Sequence, residues 1–260
     1  FKLLITITLF TGITSAFLVN DAVVLFITPL IINLCKNGQL NPIPFLIAEI
    51  LAANTGSLMT MTGNPQNMLI GINSGIPYTE FLLRLLPITL SGLFIIILVI
   101  RLLYNKTFSQ KHEFTFDKNV FQYHFLSMQW SVIILAGVIV MFFFQHLLHL
   151  SIPLISLTGA ALILIFGKVK PSIVIKQIDW VLLLFFASLF IVVHGVEKVG
   201  LFDRFITGNL LVENSRSLVF IHIISLVFSQ LISNVPLTVV MLPMMKTAGS
   251  EILWLGLASA

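Results

Sequence analysis

Side-chain amides and hydroxyls gather at three places in a chain that is otherwise strongly apolar. The first is Asn20 with Asp21, the second is the stretch TMTGNPQN at residues 60–67, and the third is Ser233 with Asn234. Such groups bind polar solutes by hydrogen bonds, and their oxygen atoms coordinate hard cations. No His-Glu-x-x-His motif, Ser/His/Asp set or metal-site spacing accompanies them. The pattern therefore predicts binding sites and no enzyme.

The composition indicates the solvent in which these groups must work. Of the 260 residues, 58% are hydrophobic and only 9% are charged, and the mean hydropathy is +1.07. Soluble domains carry about 25% charged residues, whereas several stretches here approach the ~20 apolar residues that a helical crossing needs. We predict an all-α, multi-pass integral membrane protein. No polar segment is long enough for a separate soluble core, so residues 1–260 are expected to form a single transmembrane domain.

The polar stretch at residues 60–67 interrupts a membrane segment. The apolar run at residues 45–58 is too short to span alone, and irregular backbone at membrane depth is tolerated only inside protein or beside water. Asn64 suits a helix N-cap and Pro65 the first helical position. We therefore predict a discontinuous helix whose resumed half offers amide donors to an anion. The alternative is a Gly-Pro loop at the membrane surface.

An internal repeat relates two other interrupted segments. Ser15, Asn20 and Pro29 align without gaps on a second set in the pattern S-x4-N-x8-P, namely Ser229, Asn234 and Pro243. Interruptions in corresponding positions are typical of transporters built from two halves. We predict a first repeat over about residues 1–104, a linker over 105–127 and a second repeat from about 128 to 260, which is expected to continue beyond Ala260.

The charge pattern predicts how the two repeats are oriented. If each interrupted pair is a re-entrant hairpin, nine of the 14 Lys and Arg residues fall on one side of the membrane and five on the other. The side that carries nine Lys and Arg residues is then cytoplasmic by the positive-inside rule. The two hairpins open on opposite sides, as an inverted-repeat transporter requires.

Two carboxylates lie within the apolar segments, and each has two interpretations. Asp21 could bind a cation or carry a proton, or it could stabilise the start of the next half-helix. Glu49 is a functional candidate because a carboxylate at membrane depth is costly. A structural hydrogen bond or salt bridge between packed elements is the alternative.

Four stretches resemble the ion transporter superfamily, specifically its citrate/arsenite permease branch, which is related to divalent anion:sodium symporters. They are SAFLVNDAVVLFITPLI, LAANTGSLMTMTGNPQNMLIG, DWVLLLFFASLFIVVHGVEKVGLFD and SQLISNVPLTVVMLP. The resemblance implies that the hairpin tips and the broken helix form the binding region. Expected substrate-binding residues are Ser15, Asn20, Thr62, Asn64, Gln66, Asn67, Ser233, Asn234 and Thr238. Expected coupling-ion residues are Asn20, Asp21, Asn54 and Gly63.

We therefore expect a secondary active transporter of an anion or oxyacid in the citrate/dicarboxylate, sulfate or arsenite class. It would work by alternating access with Na⁺ or H⁺ coupling, without a cofactor other than Na⁺, in a bacterial inner membrane. The related carriers imply a homodimer, and a separate ATPase subunit stays open. The closest alternative is a Na⁺/H⁺ antiporter that uses Asp21; an intramembrane enzyme or a channel is a more distant one.

Overall fold

The computed structural model describes residues 1–108, 125–167, 170–178, 180–199 and 212–260, so most of the predicted linker lies outside the described residues. In these ranges all regular structure is helical and no strand occurs, which confirms the all-α class. The described helices are α1 (Lys2–Phe17), α2 (Asn20–Asn37), α3 (Ile43–Ser57), α4 (Pro65–Ser74), α5 (Tyr78–Leu103), α6 (Asn105–Phe108), α7 (Phe125–Phe144), α8 (Ile152–Phe166), α9 (Pro171–Gln177), α10 (Trp180–Lys198), α11 (Ser215–Ile232), α12 (Asn234–Ala248) and α13 (Glu251–Ser259).

The helices form two compact units, each of which is described by itself. The first unit comprises residues 1–71 and 79–121, and the second comprises residues 72–78 and 122–258. In the first unit, α1 and α3 run in the same direction. Near their starts, the rings of Phe1 and Phe45 both contact Phe108, with centroid distances of 6.5 and 5.7 Å. Near their ends, Thr60, just beyond α3, donates a hydrogen bond to the carbonyl oxygen of Ala16.

Helix α2 runs in the opposite direction to α3. Its first residue, Asn20, contacts Asn54 near the end of α3, and Thr28 contacts Glu49 nearer the start of α3. Helices α1 and α2 are therefore an antiparallel pair, and the turn between them, at residues 18–19, lies beside the chain that follows α3. The apolar faces of α1, α2 and α3 share a buried core with α5, which includes Leu4, Ile31, Phe45 and Ile96.

Small residues allow α1 and α3 to approach very closely. A Cβ atom on Gly56 would lie 2.1 Å from the carbonyl oxygen of Gly12, well inside van der Waals contact. One turn of α1 further on, the Ser15 hydroxyl donates a 2.9 Å hydrogen bond to the carbonyl oxygen of Ala53. In a lipid bilayer the hydrophobic effect does not drive helices together. Helices there associate by close packing of small residues and by interhelical hydrogen bonds.

The second unit contains α7 to α13. Helix α7 packs on α8, where a Cβ on Gly159 would lie 2.2 Å from a Val138 methyl group. Helix α11 is capped by Asn214, whose side chain accepts a 2.8 Å hydrogen bond from the Ser217 amide. Helix α13 is capped in the same way by Ser250. These caps satisfy amide groups that a helix start leaves without partners.

The exterior of the helices is apolar, as a surface against lipid is. Phe26 is 82% exposed, Leu25 77% and Val181 79%. By length and hydropathy, two of the described helices suffice to cross a membrane, Tyr78–Leu103 and Ser215–Ile232, and several shorter ones are similarly apolar. The first of these matches the plain spanning helix that the apolar run at residues 79–104 predicts from the sequence.

Candidate functional site

The break between α1 and α2 brings Asn20 to the start of a helix. Helix α1 ends at Phe17, Leu18 is extended, and α2 begins at Asn20. The Asn20 side chain donates a 2.9 Å hydrogen bond from Nδ2 to the Oδ1 of Asn54, and its backbone N–H donates a 3.0 Å bond to the carbonyl oxygen of Gly63. Asn20, at the tip of the α1–α2 pair, is therefore hydrogen-bonded both to α3 and to the loop that follows α3.

The interruption between α3 and α4 is a loop packed inside protein. Residues 59–64 are buried, and the Thr60 hydroxyl reaches the Ala16 carbonyl at the end of α1. A Cβ on Gly63 would lie 2.2 Å from the carbonyl oxygen of Ser57, so the chain can turn back here only with glycine. Helix α3 ends at Ser57 and α4 begins at Pro65, and the irregular backbone between them is satisfied by neighbouring protein groups.

Asn64 and Asn67 hold this loop from within. The Oδ1 of Asn64 accepts a 2.8 Å hydrogen bond from the Asn67 backbone N–H, which confirms Asn64 as the N-cap and Pro65 as the first residue of α4. The Nδ2 of Asn64 donates to the Ser57 hydroxyl at 3.2 Å. The Nδ2 of Asn67 donates to the carbonyl oxygens of Leu58 and Thr60, both at 3.1 Å, and more weakly to that of Ser57 at 3.5 Å.

Two side-chain oxygens in this cluster have no hydrogen-bond partner among the described residues. They are the Oδ1 of Asn20 and the Oδ1 of Asn67, and both atoms are shielded from solvent. A buried amide oxygen without a partner is costly in a native structure. Amide oxygens have no proton to donate, so what they lack is a donor or a cation. Oxygens of this kind suit Na⁺ or another hard cation.

Two helix N-termini meet at the same place. Helix α2 starts at Asn20 and α4 at Pro65, and the Asn20 amide is bonded to Gly63, two residues before α4. Each N-terminus carries roughly half a positive charge. At α4, however, Pro65 has no N–H and the Asn67 N–H is already bonded to Asn64, so the Gln66 amide remains as the donor in the first turn.

The other residues expected in this part of the site differ in exposure. The Thr62 side chain is 7% exposed and lies 3.3 Å from the Thr60 hydroxyl. Gln66 is half-buried in the first turn of α4, whereas Asp21 is exposed in the first turn of α2. Ser15 is fully buried, and its hydroxyl is used between α1 and α3. The structure therefore brings Asn20, Asn54, Gly63, Asn64 and Asn67 into one bonded cluster.

The second polar junction lies in the other unit and repeats the local pattern of the first. Helix α11 ends at Ile232, Ser233 is the single residue between helices, and α12 begins at Asn234. In both junctions the asparagine is the first residue of the second helix, and a proline nine positions later lies inside that helix. Ser233 and Asn234 are exposed, whereas Thr238 is buried and bonds to the Asn234 carbonyl at 2.9 Å.

Two features of the first unit were missed from the sequence. Ser57 and Thr60 are not among the site residues expected from the sequence, yet their hydroxyls bond Asn64 and Ala16. Their clustering with Thr62 in a short apolar stretch was the available signal. Thr28 bonds to Glu49, and no local pattern connects these two positions.

Among the described residues no group of three or more His, Cys, Asp and Glu side chains could hold a metal.

Comparison with known proteins matches the whole chain to one transporter family. The family described as "Citrate transporter" matches residues 1–260. The chain is 26% identical over 274 residues to a 46 kDa membrane protein of Mycobacterium leprae, covering 99% of this chain and 64% of that protein. It is 28% identical over 251 residues to the inner membrane protein YbiR of Escherichia coli, covering 93% of this chain and 60% of that protein.

A plant protein matches a shorter part. The silicon efflux transporter LSI3 of Oryza sativa subsp. japonica is 38% identical over 96 residues, which cover 37% of this chain and 20% of that protein. The chain thus spans less than two thirds of the length of the relatives that it matches along most of its own length.

Proposed function

Because the chain belongs to the citrate transporter family, a family of membrane transporters, we propose that it is part of a secondary active transporter that moves a small anion or oxyacid together with a coupling cation. The observation that carries the proposal is the cluster around Asn20, in which a helix tip, a helix break and two unpartnered amide oxygens meet. The unpartnered oxygens of Asn20 and Asn67 would bind the cation. We favour Na⁺ because a site of neutral carbonyl oxygens can ligate a metal ion but cannot hold a proton at neutral pH.

The anion would bind where the starts of α2 and α4 face the same loop. Their combined partial positive charge favours a negative group, and a bound Na⁺ would add to it. Cation and anion would then stabilise each other, which is the physical basis of their coupled movement. The family description supports citrate and related carboxylates, and the name of the rice relative supports an oxyacid as the other class.

We further propose that α1–α2 and α11–α12 are re-entrant hairpins of an inverted repeat, working by alternating access. The antiparallel packing of α1 on α2 and the common register of the two junctions support this. Residues Ser233, Asn234 and Thr238 would bind substrate at the second junction. The bacterial relatives, one of them named an inner membrane protein, support location in the bacterial inner membrane.

The test is a flux assay on the purified full-length protein in liposomes. Radiolabelled citrate, a dicarboxylate, sulfate and arsenite are offered with an inward Na⁺ gradient, with a proton gradient and with neither. We expect one of these solutes to accumulate only when a gradient is imposed, and without an ATPase subunit. Exchange of Na⁺ for H⁺ with no anion present would instead identify an antiporter, and equilibration without accumulation would identify a channel.

A further inference from the structure

A carboxyl group lies deep in the first unit, away from the cluster around Asn20. Glu49 on α3 is 0% exposed. It belongs to the buried stripe of α3 together with Phe45, Ala48 and Ala52, which are part of the apolar core shared with α1, α2 and α5. The sequence left open whether this group is structural or functional, and its surroundings bear on that choice.

Thr28 is the hydrogen-bond partner of Glu49 among the described residues. Its hydroxyl oxygen lies 3.0 Å from one carboxyl oxygen of Glu49 and 3.1 Å from the other. A threonine hydroxyl has one proton and therefore donates a hydrogen bond to one carboxyl oxygen at a time. An ionised carboxylate has about four acceptor positions, so a single hydroxyl leaves most of its charge without compensation.

No cation compensates for the charge in the part of the chain that the structure describes. Lys2 on α1 and Lys36 on α2 are exposed, and Arg101 on α5 lies over the ring of Phe1 at 4.4 Å. Arg84 on α5 pairs with Glu80. Of the other titratable groups on α2, Asp21 is exposed and Cys35 is a buried thiol in the same core.

Such a group is stable in this place only with a proton bound. A protonated carboxyl donates its O–H to one acceptor and is neutral, whereas an isolated carboxylate in an apolar interior costs many kcal/mol. Ionisation is therefore favoured by contact with water, and movement of α2 away from α3 would admit water to Glu49. Proton release and separation of the two helices are linked.

The same helix carries the contact at the binding cluster. Thr28 follows Asn20 by eight residues, which is about 12 Å along α2. Both residues bond to groups of α3 or of the loop after it. Any movement that lifts α2 from Glu49 also strains the bonds of Asn20 to Asn54 and Gly63.

We propose that Glu49 and Thr28 form a proton-controlled latch, in which a bound proton holds the α1–α2 pair against α3 and loss of the proton releases it. The latch is a proton-binding site separate from the cation site around Asn20. It rests on the packing of α2 against α3 and not on the identity of the transported solute.

Cys35 is a natural reporter of this movement. It is 1% exposed, lies seven residues after Thr28 and so on the same face of α2, and is the single cysteine among the 260 residues. In the full-length protein in liposomes, with any cysteine outside these residues changed to serine, the rate of labelling by a membrane-permeant maleimide is measured between about pH 5 and 8, a range in which buried carboxyl groups can titrate.

Comparison with Glu49→Gln, which imitates the protonated form, removes the effect of thiol ionisation, because both proteins carry the same cysteine. We expect equal labelling at low pH and a wild-type rate about tenfold or more above that of Glu49→Gln at high pH, since each pH unit shifts a linked equilibrium by up to about tenfold. Parallel pH profiles for the two proteins overturn the latch.

A second variant keeps the test decisive if Glu49→Gln does not reach the membrane. Thr28→Val removes the partner of the protonated carboxyl and should raise labelling at low pH well above the wild-type rate at the same pH, whereas Thr28→Ser should leave it at the wild-type rate. Unchanged labelling in Thr28→Val also overturns the latch. These measurements use no substrate, so a failed flux assay and a failed latch are told apart.

Discussion

Asn20 and Asn54 lie 34 positions apart in the chain, and the Nδ2 of the first donates a 2.9 Å hydrogen bond to the Oδ1 of the second. The bond joins the first residue of α2 to the last turn of α3. The Asn20 amide makes a second link, to Gly63 in the helix break. The tip of one helix pair therefore sets the geometry of the break in another segment.

Replacing Asn20 with alanine should strongly reduce gradient-driven uptake. The substitution removes the bond to Asn54 and the unpartnered oxygen that we assign to the coupling cation. Initial uptake rates should fall at least about tenfold, the effect of losing ~1.4 kcal/mol of binding, while the amount of protein in the membrane stays the same. Asn37→Ala, at the exposed opposite end of α2, is the matched control and should transport normally. Uptake by Asn20→Ala at the control rate would remove Asn20 from the site.

Sodium should raise the thermal stability of the protein. A ligand that binds only the folded state stabilises it by about 2.7 kcal/mol at a hundred times its Kd. We expect the Tm in detergent to be higher in NaCl than in choline chloride at equal ionic strength. The increase should vanish in Asn20→Ala and persist in Asn37→Ala. A sodium effect of equal size in both variants would place the cation elsewhere.

Asn67→Asp should destabilise the loop after α3. The change keeps the size of the side chain but removes the N–H groups that bond the carbonyl oxygens of Leu58 and Thr60. A buried carbonyl left without a partner costs about 1–3 kcal/mol, so the Tm should fall by several degrees. Gln66→Glu makes the same chemical change at the half-buried neighbour and should have a much smaller effect. Equal loss in both variants would mean that charge, and not the lost donors, is responsible.

Gly56→Ala should prevent α1 and α3 from packing. The added methyl group would lie 2.1 Å from the Gly12 carbonyl oxygen, which is backbone and cannot turn aside. We expect little folded protein by size-exclusion chromatography with fluorescence detection. Gly137→Ala is the control, because a Cβ at that position on α7 meets nothing within 4 Å. Normal yield of Gly56→Ala would show that the two helices lie further apart.

Ser233→Gly should stabilise the second unit. Ser233 has φ 71° and ψ 161°, a backbone conformation that is almost restricted to glycine and costs other residues about 1–3 kcal/mol. The Tm of Ser233→Gly should rise, and that of Ser233→Val should fall because a β-branched side chain fits this conformation worst. If the serine hydroxyl takes part in transport as we propose, the more stable glycine variant will be the slower one.

Features that depend on a few neighbouring residues were predicted correctly from the sequence, and a feature that depends on contacts between distant segments was not. Asn64 as N-cap and Pro65 as first helical residue were predicted correctly, because capping depends on three or four consecutive residues. The spanning helix at Tyr78–Leu103 was also predicted, since hydropathy alone specifies it. The bond between Thr28 and Glu49 was not, because it depends on the register of α2 against α3.

The direction of the amide groups was equally beyond the sequence. Asn67 was expected to face a bound anion, but its Nδ2 turns inward to the loop carbonyls, and only its Oδ1 is left without a partner. An asparagine offers a donor and an acceptor on one planar group, so its residue type does not say which of the two faces a ligand. That choice depends on the path of the loop at residues 58–63.

The segment after residue 52 forms hydrogen bonds with Ser15, Ala16 and Asn20, which are synthesised before it. The ribosome releases residues 1–37 before residues 43–74, so we expect the earlier pair of helices to enter the membrane before the interrupted segment does. The backbone groups of the newly made loop can then form hydrogen bonds with these helices at once. We expect a protein that lacks residues 1–37 to be degraded by quality-control proteases.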